Sequence, residues 1–133
     1  VIDYLQLLFV PGAENEYATL SIITRSAKLL AKRLGVPLLM LSQLNRESEK
    51  RQDKRPILHD LRGSGTIEQD ADIVCFLHRE DPDDRTQAEF ADFIVAKQRD
   101  GATGVVTLRW SKQIARFDNY APDFNPIDNR YGS

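Results

Sequence analysis

The chain has 133 residues, of which 41% are hydrophobic and 29% charged. That is about one domain's worth of polypeptide with enough apolar material for a packed core, which excludes collagen-like, mucin-like and wholly disordered classes. Its 18 lysines and arginines against 20 aspartates and glutamates give a net charge of −2, so no global basic field recruits a polyanion and any nucleic-acid surface has to be local.

A single cysteine, Cys75, excludes an internal disulfide and the Cys-rich zinc frameworks, and it favours a reducing compartment. The longest apolar run, residues 36–41, is far short of the roughly 20 residues that cross a bilayer. No basic segment precedes a hydrophobic one as in a secretory signal. The opening Val1-Ile2-Asp3 reads as a start inside a strand, so the natural amino terminus is expected upstream.

Residues 1–8 read as a buried strand closed by the Pro11-Gly12 turn. From residue 16 to 34, Leu20, Ile23, Ala27, Leu30 and Leu34 recur at spacings of three and four, which predicts an amphipathic helix with Arg25, Lys28, Lys32 and Arg33 on its wet side. Gly35 stands where a left-handed C-cap belongs, and residues 36–41 form a continuous apolar strand. Strand, helix, strand is a βαβ unit and implies parallel pairing.

Residues 42–62 are polar, with Arg46, Lys50, Arg51, Lys54, Arg55 and Arg62 against Glu47, Glu49, Asp53 and Asp60. A loop of that length in a compact domain tends to be functional or mobile. A glycine-rich turn and a short helix over 66–72 follow, then a third buried strand at 73–77 and an acidic connection over 79–87. Two further strands, 89–97 and 104–110, form a hairpin through Asp100-Gly101. After Phe117 the chain turns rich in Asn, Asp and Pro, and a poorly ordered tail is expected over 118–133.

Ligands collect at the carboxyl ends of strands in parallel α/β sheets, and Asp3 and Gln43 stand at two such ends. A carboxylate there can hold Mg²⁺ through its waters beside a nucleotide's phosphates, and a neighbouring glutamine can sense a γ-phosphate. An acidic residue near a strand end is also common without any such role. The P-loop pattern Gly-x-x-x-x-Gly-Lys-Ser/Thr is absent, because none of the seven glycines precedes a lysine. Arg62-Gly-Ser-Gly65 at a helix start exposes backbone N–H groups to an anion such as a phosphodiester; the alternative is a tight turn with Ser64 or Thr66 as N-cap. Lys97 and Arg99, at alternate positions, share one face where a strand enters a hairpin. They could reach a neighbouring subunit's phosphates as a finger in trans, or simply blunt an exposed strand end. His59 and His78 lack partners at metal or triad spacing, Cys75 reads as packing, and Tyr4, Trp110 and Phe117 read as core or rim aromatics.

Taken in order, Val1-Ile-Asp-Tyr-Leu-Gln-Leu7, Leu41-Ser-Gln-Leu-Asn-Arg46, Asp53-Lys-Arg-Pro56, the block from Asp60 through Arg62-Gly-Ser-Gly-Thr-Ile-Glu68 to Asp72, and Ala96-Lys-Gln-Arg-Asp-Gly101 resemble the carboxyl-terminal motor domain of the DnaB-type replicative DNA helicases. The resemblance implies an α/β, RecA-like fold over residues 1–117: a mostly parallel sheet with flanking helices and a C-terminal antiparallel hairpin, beginning at the Walker B strand and so lacking the P-loop. It implies a homohexameric ring in the cytoplasm that moves along single-stranded DNA with ATP and Mg²⁺, and primase and a helicase loader as partners. Asp3 then matches the Walker B aspartate that holds Mg²⁺ through water, and Gln43 the glutamine that couples nucleotide state to DNA loops. Arg62, Gly63 and Gly65 match the loop touching DNA phosphates, and Lys97 and Arg99 the pair reaching the next subunit's γ-phosphate. The family often has Glu where this chain has Gly63. Its P-loop and catalytic glutamate lie upstream of these residues, so the isolated piece is expected to be inactive. A recombination-type RecA-like ATPase and a non-catalytic interaction module stand as the competing readings.

Overall fold

The structure, a computed structural model, describes residues 1–45, 48, 50–61, 63–79 and 90–120. Helix α1 spans Glu16–Leu34, the stretch that the three-and-four spacing predicts. Asn15 starts it by accepting the Ala18 N–H at 2.8 Å, which satisfies a first-turn donor. Gly35 ends it at a φ of 65°, and the Val36 N–H reaches back to the Ala31 carbonyl at 3.2 Å as in a Schellman cap. The stripe buries Leu20, Ile23 and Ala27, with Thr24 buried among them, but Leu30 and Leu34 at its far end are 49% and 61% exposed.

The α1 crossover joins two extended segments in parallel, as the βαβ pattern predicts. Ile2 N–H donates to Leu39 O at 2.8 Å, Leu41 N–H to Ile2 O at 2.9 Å, and Leu5 N–H to Leu41 O at 2.9 Å. The pairing stays a single bridge, Ile2↔Met40, and the strand expected over residues 1–8 gives way to a 3-10 turn at Leu5–Leu7. Continuous apolar strands are buried only when neighbours cover both faces. Among the described residues neither segment pairs with a further strand, and Val1, Leu7, Leu39 and Leu41 are exposed.

The sheet proper has four strands, β1 (Ile73–His78), β2 (Phe90–Gln98), β3 (Gly104–Ser111) and β4 (Arg116–Asn119), hydrogen-bonded in that order. Every pairing within it is antiparallel, so parallel pairing among the described residues is confined to the Ile2↔Met40 bridge. The connections 79–89, 99–103 and 112–115 explain this difference from a mostly parallel sheet, since parallel neighbours need a crossover of a dozen or more residues. The expected hairpin is β2–β3. Strand β4 has no counterpart among the expected elements and crosses the boundary placed after residue 117. Residues 121–133 of the expected tail and 80–87 of the acidic connection lie outside the described residues.

Helix α2 spans Ser64–Asp70. It packs with α1 and β1 around one core of Leu5, Leu20, Ile23, Leu61, Ile67, Val74 and Phe76. Strand β1 alternates in burial, so Cys75 faces outward and is exposed rather than packed; its thiol is pushed up by partial desolvation, which keeps it unreactive. Trp110 and Phe117 meet across β3 and β4 with ring centroids 4.5 Å apart, a rim contact.

The long polar segment 42–62 is organised. Leu44 and Leu61 form an antiparallel bridge and Asn45 N–H donates to Asp60 O at 2.7 Å, closing the loop at its base. Inside it Asp60 accepts Arg51 Nη1 at 2.8 Å, Arg51 Nη2 at 2.7 Å and Ile57 N–H at 2.8 Å. Arg51 also donates to the Arg55 carbonyl at 2.8 Å, and Arg55 pairs with Asp92 of β2 at 2.9 Å. A guanidinium with a fixed fork of donors can hold a carboxylate and loop carbonyls together, which turns a polar stretch into a structured arm.

Candidate functional site

The sites expected from sequence fall into two groups. The first lies at the carboxyl ends of the parallel segments. Asp3 follows the Ile2 bridge and Gln43 lies just past Met40 on the adjacent segment, so hydrogen bonding brings the two chain ends side by side. Gln6 ties them: its Nε2 donates to Ser42 Oγ at 3.1 Å, and its Oε1 accepts the Gln43 N–H at 3.3 Å. Gln6 and Ser42 carry no such signal in sequence, because only the register of the pair reveals that they meet. Asp3 and Gln43 are both exposed. The Asp3 carboxylate has no hydrogen-bond or ion-pair partner among the described residues, so it is an unneutralised acceptor at a strand end. That fits an outer ligand of a hydrated Mg²⁺, which needs carboxylate charge but few direct protein bonds. No cluster of three or more His, Cys, Asp or Glu that could hold a metal on its own exists among the described residues.

The second group is arranged about α2. Its N-cap is Gly63, at a φ of 75°, and Thr66 is not the cap: its hydroxyl donates to the Gly63 carbonyl at 3.2 Å. A Cβ on Gly63 would lie 2.5 Å from Leu20 Cδ1, whereas one on Gly65 would meet only the Tyr17 hydroxyl at 3.7 Å. The two glycines therefore serve different ends. Gly63 permits a left-handed turn pressed against buried Leu20, and Gly65 leaves an open surface beside exposed Tyr17. Gly63→Ala is expected to cost about 1–2 kcal/mol from the left-handed backbone. Gly65→Ala is expected to raise stability by about 0.5–1 kcal/mol, because alanine suits a helix better than glycine. Denaturant unfolding of the two variants checks both signs. Arg62 lies outside the described residues.

At the other end of α2, one helix length of about 10 Å away, sit Lys97 and Arg99. Lys97 is half-buried and its ammonium donates to the Ala71 carbonyl at 2.8 Å and to the Glu68 carbonyl. Cations are favoured where a helix leaves its last carbonyls unpaired. Arg99 pairs with Asp72 at 3.2 Å, and its own N–H donates to the Asp72 carbonyl at 2.9 Å. The pair does share a face, but both side chains lie back on the end of α2 in their own chain rather than projecting from the sheet. The cause is a bulge. Val74 pairs with Lys97 and Cys75 with Val95, leaving Ala96 as the extra residue. Ala96 packs on the core while Lys97 also reaches α2, so two successive residues face the helices, which a regular strand forbids. No hydrogen bond or ion pair joins Asp3 or Gln43 to Lys97 or Arg99 among the described residues.

Two contacts are invisible in the sequence. Lys28, expected on the wet side of α1, docks on α2: its Nζ donates to the Asp70 carbonyl at 3.2 Å and pairs with the Asp72 carboxylate. One helical turn earlier, Thr24 Oγ1 donates to Asp70 Oδ2 at 2.6 Å. The ammonium of Lys28 holds the Asp72 carboxyl below the usual carboxylate range, with Arg99 and Lys32 adding to it. His59 lies in a shallow apolar hollow with Pro56, Ile57, Leu58, Ile94 and Ala96.

Residues 1–119 match the family described as DnaB-like helicase C terminal domain. The chain is 48% identical over 124 residues to the replicative DNA helicase DnaB of Pasteurella multocida, covering 91% of the chain and 27% of that relative. It is 48% identical over 129 residues to the DnaB of Geobacillus stearothermophilus, covering 94% of the chain and 28% of the relative. The chain thus spans about a quarter of the length of these relatives. Among solved structures, it superposes on one described as an ATPase domain with a TM-score of 0.83 at 46% identity, covering 90% of the chain and 43% of that structure. A DnaB-like replicative helicase studied with its primase interactions gives a TM-score of 0.83 at 45% identity, covering 90% and 29%. A shared backbone at that identity makes the fold part of a RecA-like ATPase domain, and the chain belongs to the DnaB-like helicase C-terminal domain family.

Proposed function

We propose that this chain is the carboxyl-terminal part of the motor domain of a cytoplasmic replicative DNA helicase, a homohexamer that couples ATP hydrolysis to movement along single-stranded DNA and to duplex unwinding. The observation that carries the reading is α2, one short helix with a glycine turn suited to phosphate at its start and the Lys97/Arg99 pair at its end. The parallel edge beside it presents Asp3 and Gln43.

In this reading each nucleotide lies between protomers: one supplies the upstream P-loop with Asp3 and Gln43, and the next supplies Lys97 and Arg99. Bound Mg²⁺ supplies charge that neutralises the phosphates. Asp3 holds its hydration shell, and Gln43, fixed at its backbone by Gln6, places its amide to register the terminal phosphate. Lys97 and Arg99 serve the pocket of the adjoining protomer, which requires them to leave the α2 carbonyls and Asp72. Arg62 with the Gly63 and Gly65 backbone grips DNA phosphates, giving affinity without reading bases. A related helicase has been studied with primase; primase and a loader are the partners proposed here.

The experiment uses the full-length parent protein, in which this reading expects ATP hydrolysis stimulated by single-stranded DNA and duplex unwinding. Arg62→Ala is expected to weaken DNA binding across all sequences and to reduce the slope of log K against log salt by about one phosphate's worth, roughly 0.7 for a single strand. Fluorescence anisotropy at several salt concentrations measures it. An unchanged slope removes Arg62 from the DNA surface, and absence of unwinding favours a recombination-type ATPase.

A further inference from the structure

Three cations from separate elements converge on the carboxyl end of α2: Lys28 from α1, Lys97 from β2 and Arg99 just beyond it. Two of them compete for one group. Lys28 Nζ and Arg99 Nη1 both take Asp72 Oδ1. The other nearby carboxylate, Asp70, is engaged by the Thr24 hydroxyl, and Lys97 is satisfied by backbone carbonyls. Asp72 is therefore the charge among the described residues that holds the Arg99 guanidinium, whose Nη2 also reaches the Gln69 carbonyl at a longer 3.5 Å.

We propose that Asp72 is a positioning residue that holds the Arg99 guanidinium in cis and so competes with the phosphate of a nucleotide bound by the adjoining protomer. This rests on the reading of Arg99 as a trans-acting finger. The Arg99 Nη1 that pairs with Asp72 cannot turn to a distant phosphate without giving up that partner. The Arg99 and Asp72 side chains are 51% and 55% exposed, so solvent screens the pair and it breaks at small cost. Swinging the side chain out leaves the strand end in place, because the Arg99 N–H keeps its bond to the Asp72 carbonyl. The cations around Asp72 keep it charged at any working pH, so the hold is constant and is relieved only by a better acceptor. A finger parked for part of the time raises the apparent dissociation constant of the nucleotide by the inverse of the free fraction. Lys28 tunes the hold by taking a share of the same oxygen.

The test is steady-state ATPase kinetics on the full-length parent. Asp72→Asn is expected to lower KM for ATP by about two- to fivefold, the factor a half-exposed ion pair supplies, with the change carried by KM rather than kcat. Asp72→Glu restores KM towards wild type. Lys28→Met moves KM upwards, because Asp72 then serves Arg99 alone. In an Arg99→Ala background, where turnover is too low for a KM, titration with a fluorescent ATP analogue should show no effect of Asp72→Asn on the nucleotide dissociation constant. A purely structural Asp72 predicts instead that kcat and thermal stability fall together while KM stays or rises, and that result overturns the proposal. If Asp72→Asn does not fold, an unchanged or lowered KM in Lys28→Met overturns it equally. Should Arg99→Ala leave turnover intact, the finger reading fails and this inference with it. A depressed Arg99→Ala with no effect at Asp72 removes the inference alone.

Discussion

Arg99→Ala in the full-length parent is expected to lower ATP turnover by about 10³–10⁵-fold, the range seen when a trans-acting arginine is removed from a phosphoryl-transfer site, while leaving the fold intact. The side chain is half-exposed and its partner Asp72 keeps Lys28, so no buried charge is stranded. Only the side chain is lost, since the bond from the Arg99 N–H to the Asp72 carbonyl is made by backbone. Arg99→Lys should recover little, because an ammonium cannot reproduce a planar fork of donors. Mixing subunits separates action in trans from action in cis. A protomer carrying Arg99→Ala still offers an intact Asp3, and one carrying Asp3→Asn still offers an intact Arg99. Rings assembled from both contain interfaces with a whole pocket and regain ATPase activity. Two inactive parents that stay inactive when mixed would place Arg99 in its own protomer's pocket.

The sequence carries α1 almost completely. The stripe from Leu20 to Ala27 and the Gly35 cap are local signals read from sequence; the Asn15 cap is not read there, although it is an equally local signal. The β2–β3 hairpin is legible for the same reason. Whatever depends on long-range pairing is not. A continuous apolar run cannot say whether residues 73–77 join a parallel or an antiparallel neighbour, and connection length is the better guide. The extra residue at Ala96 leaves no mark in the continuous apolar run 93–96, yet it decides that Lys97 turns onto α2. Lys28 reads as a wet-side lysine until α2 is placed beside it, because a long side chain can reach across an interface that its Cα does not occupy. For the candidate site, chain order and strand ends point to Asp3 and Gln43, but Gln6, which anchors the Gln43 segment, emerges only from the register of two segments far apart in sequence.

The Arg51–Asp60 staple is where the largest structural effect is expected. Asp60 is 2% exposed and takes two guanidinium bonds and one backbone N–H. Asp60→Ala leaves the Ile57 N–H and the Arg51 Nη1 without acceptors, while Arg51 Nη2 keeps the Arg55 carbonyl. Breaking a buried pair costs about 3–5 kcal/mol when the surviving charge stays buried. Here the Arg51 side chain remains 34% exposed and water can reach it, so about 2–3 kcal/mol is expected, in the range of lost charge-assisted hydrogen bonds. The loss should appear as local opening of the loop. Exchange of the Asn45 amide hydrogen, whose acceptor is the Asp60 carbonyl, is expected to speed up by about 30–150-fold, since 1.4 kcal/mol is tenfold. The pH dependence has a definite sign. The Arg51 guanidinium, with help from the Ile57 N–H, holds the Asp60 carboxyl below the usual range. The stabilisation is therefore fully present above the ordinary aspartate value of about 3.9, and it is lost as pH falls through the depressed native value. Wild-type stability of the loop should be level from neutrality down to about pH 5 and decline only in stronger acid, and Asp60→Ala should remove that acid limb. Leu61, directly after the staple, is buried in the core, with Gly63 two residues further on. A loop freed at Asp60 therefore loses the fixed approach to the glycine turn. In the full-length parent the same substitution should weaken single-stranded DNA binding without altering its salt slope, because no phosphate contact is deleted.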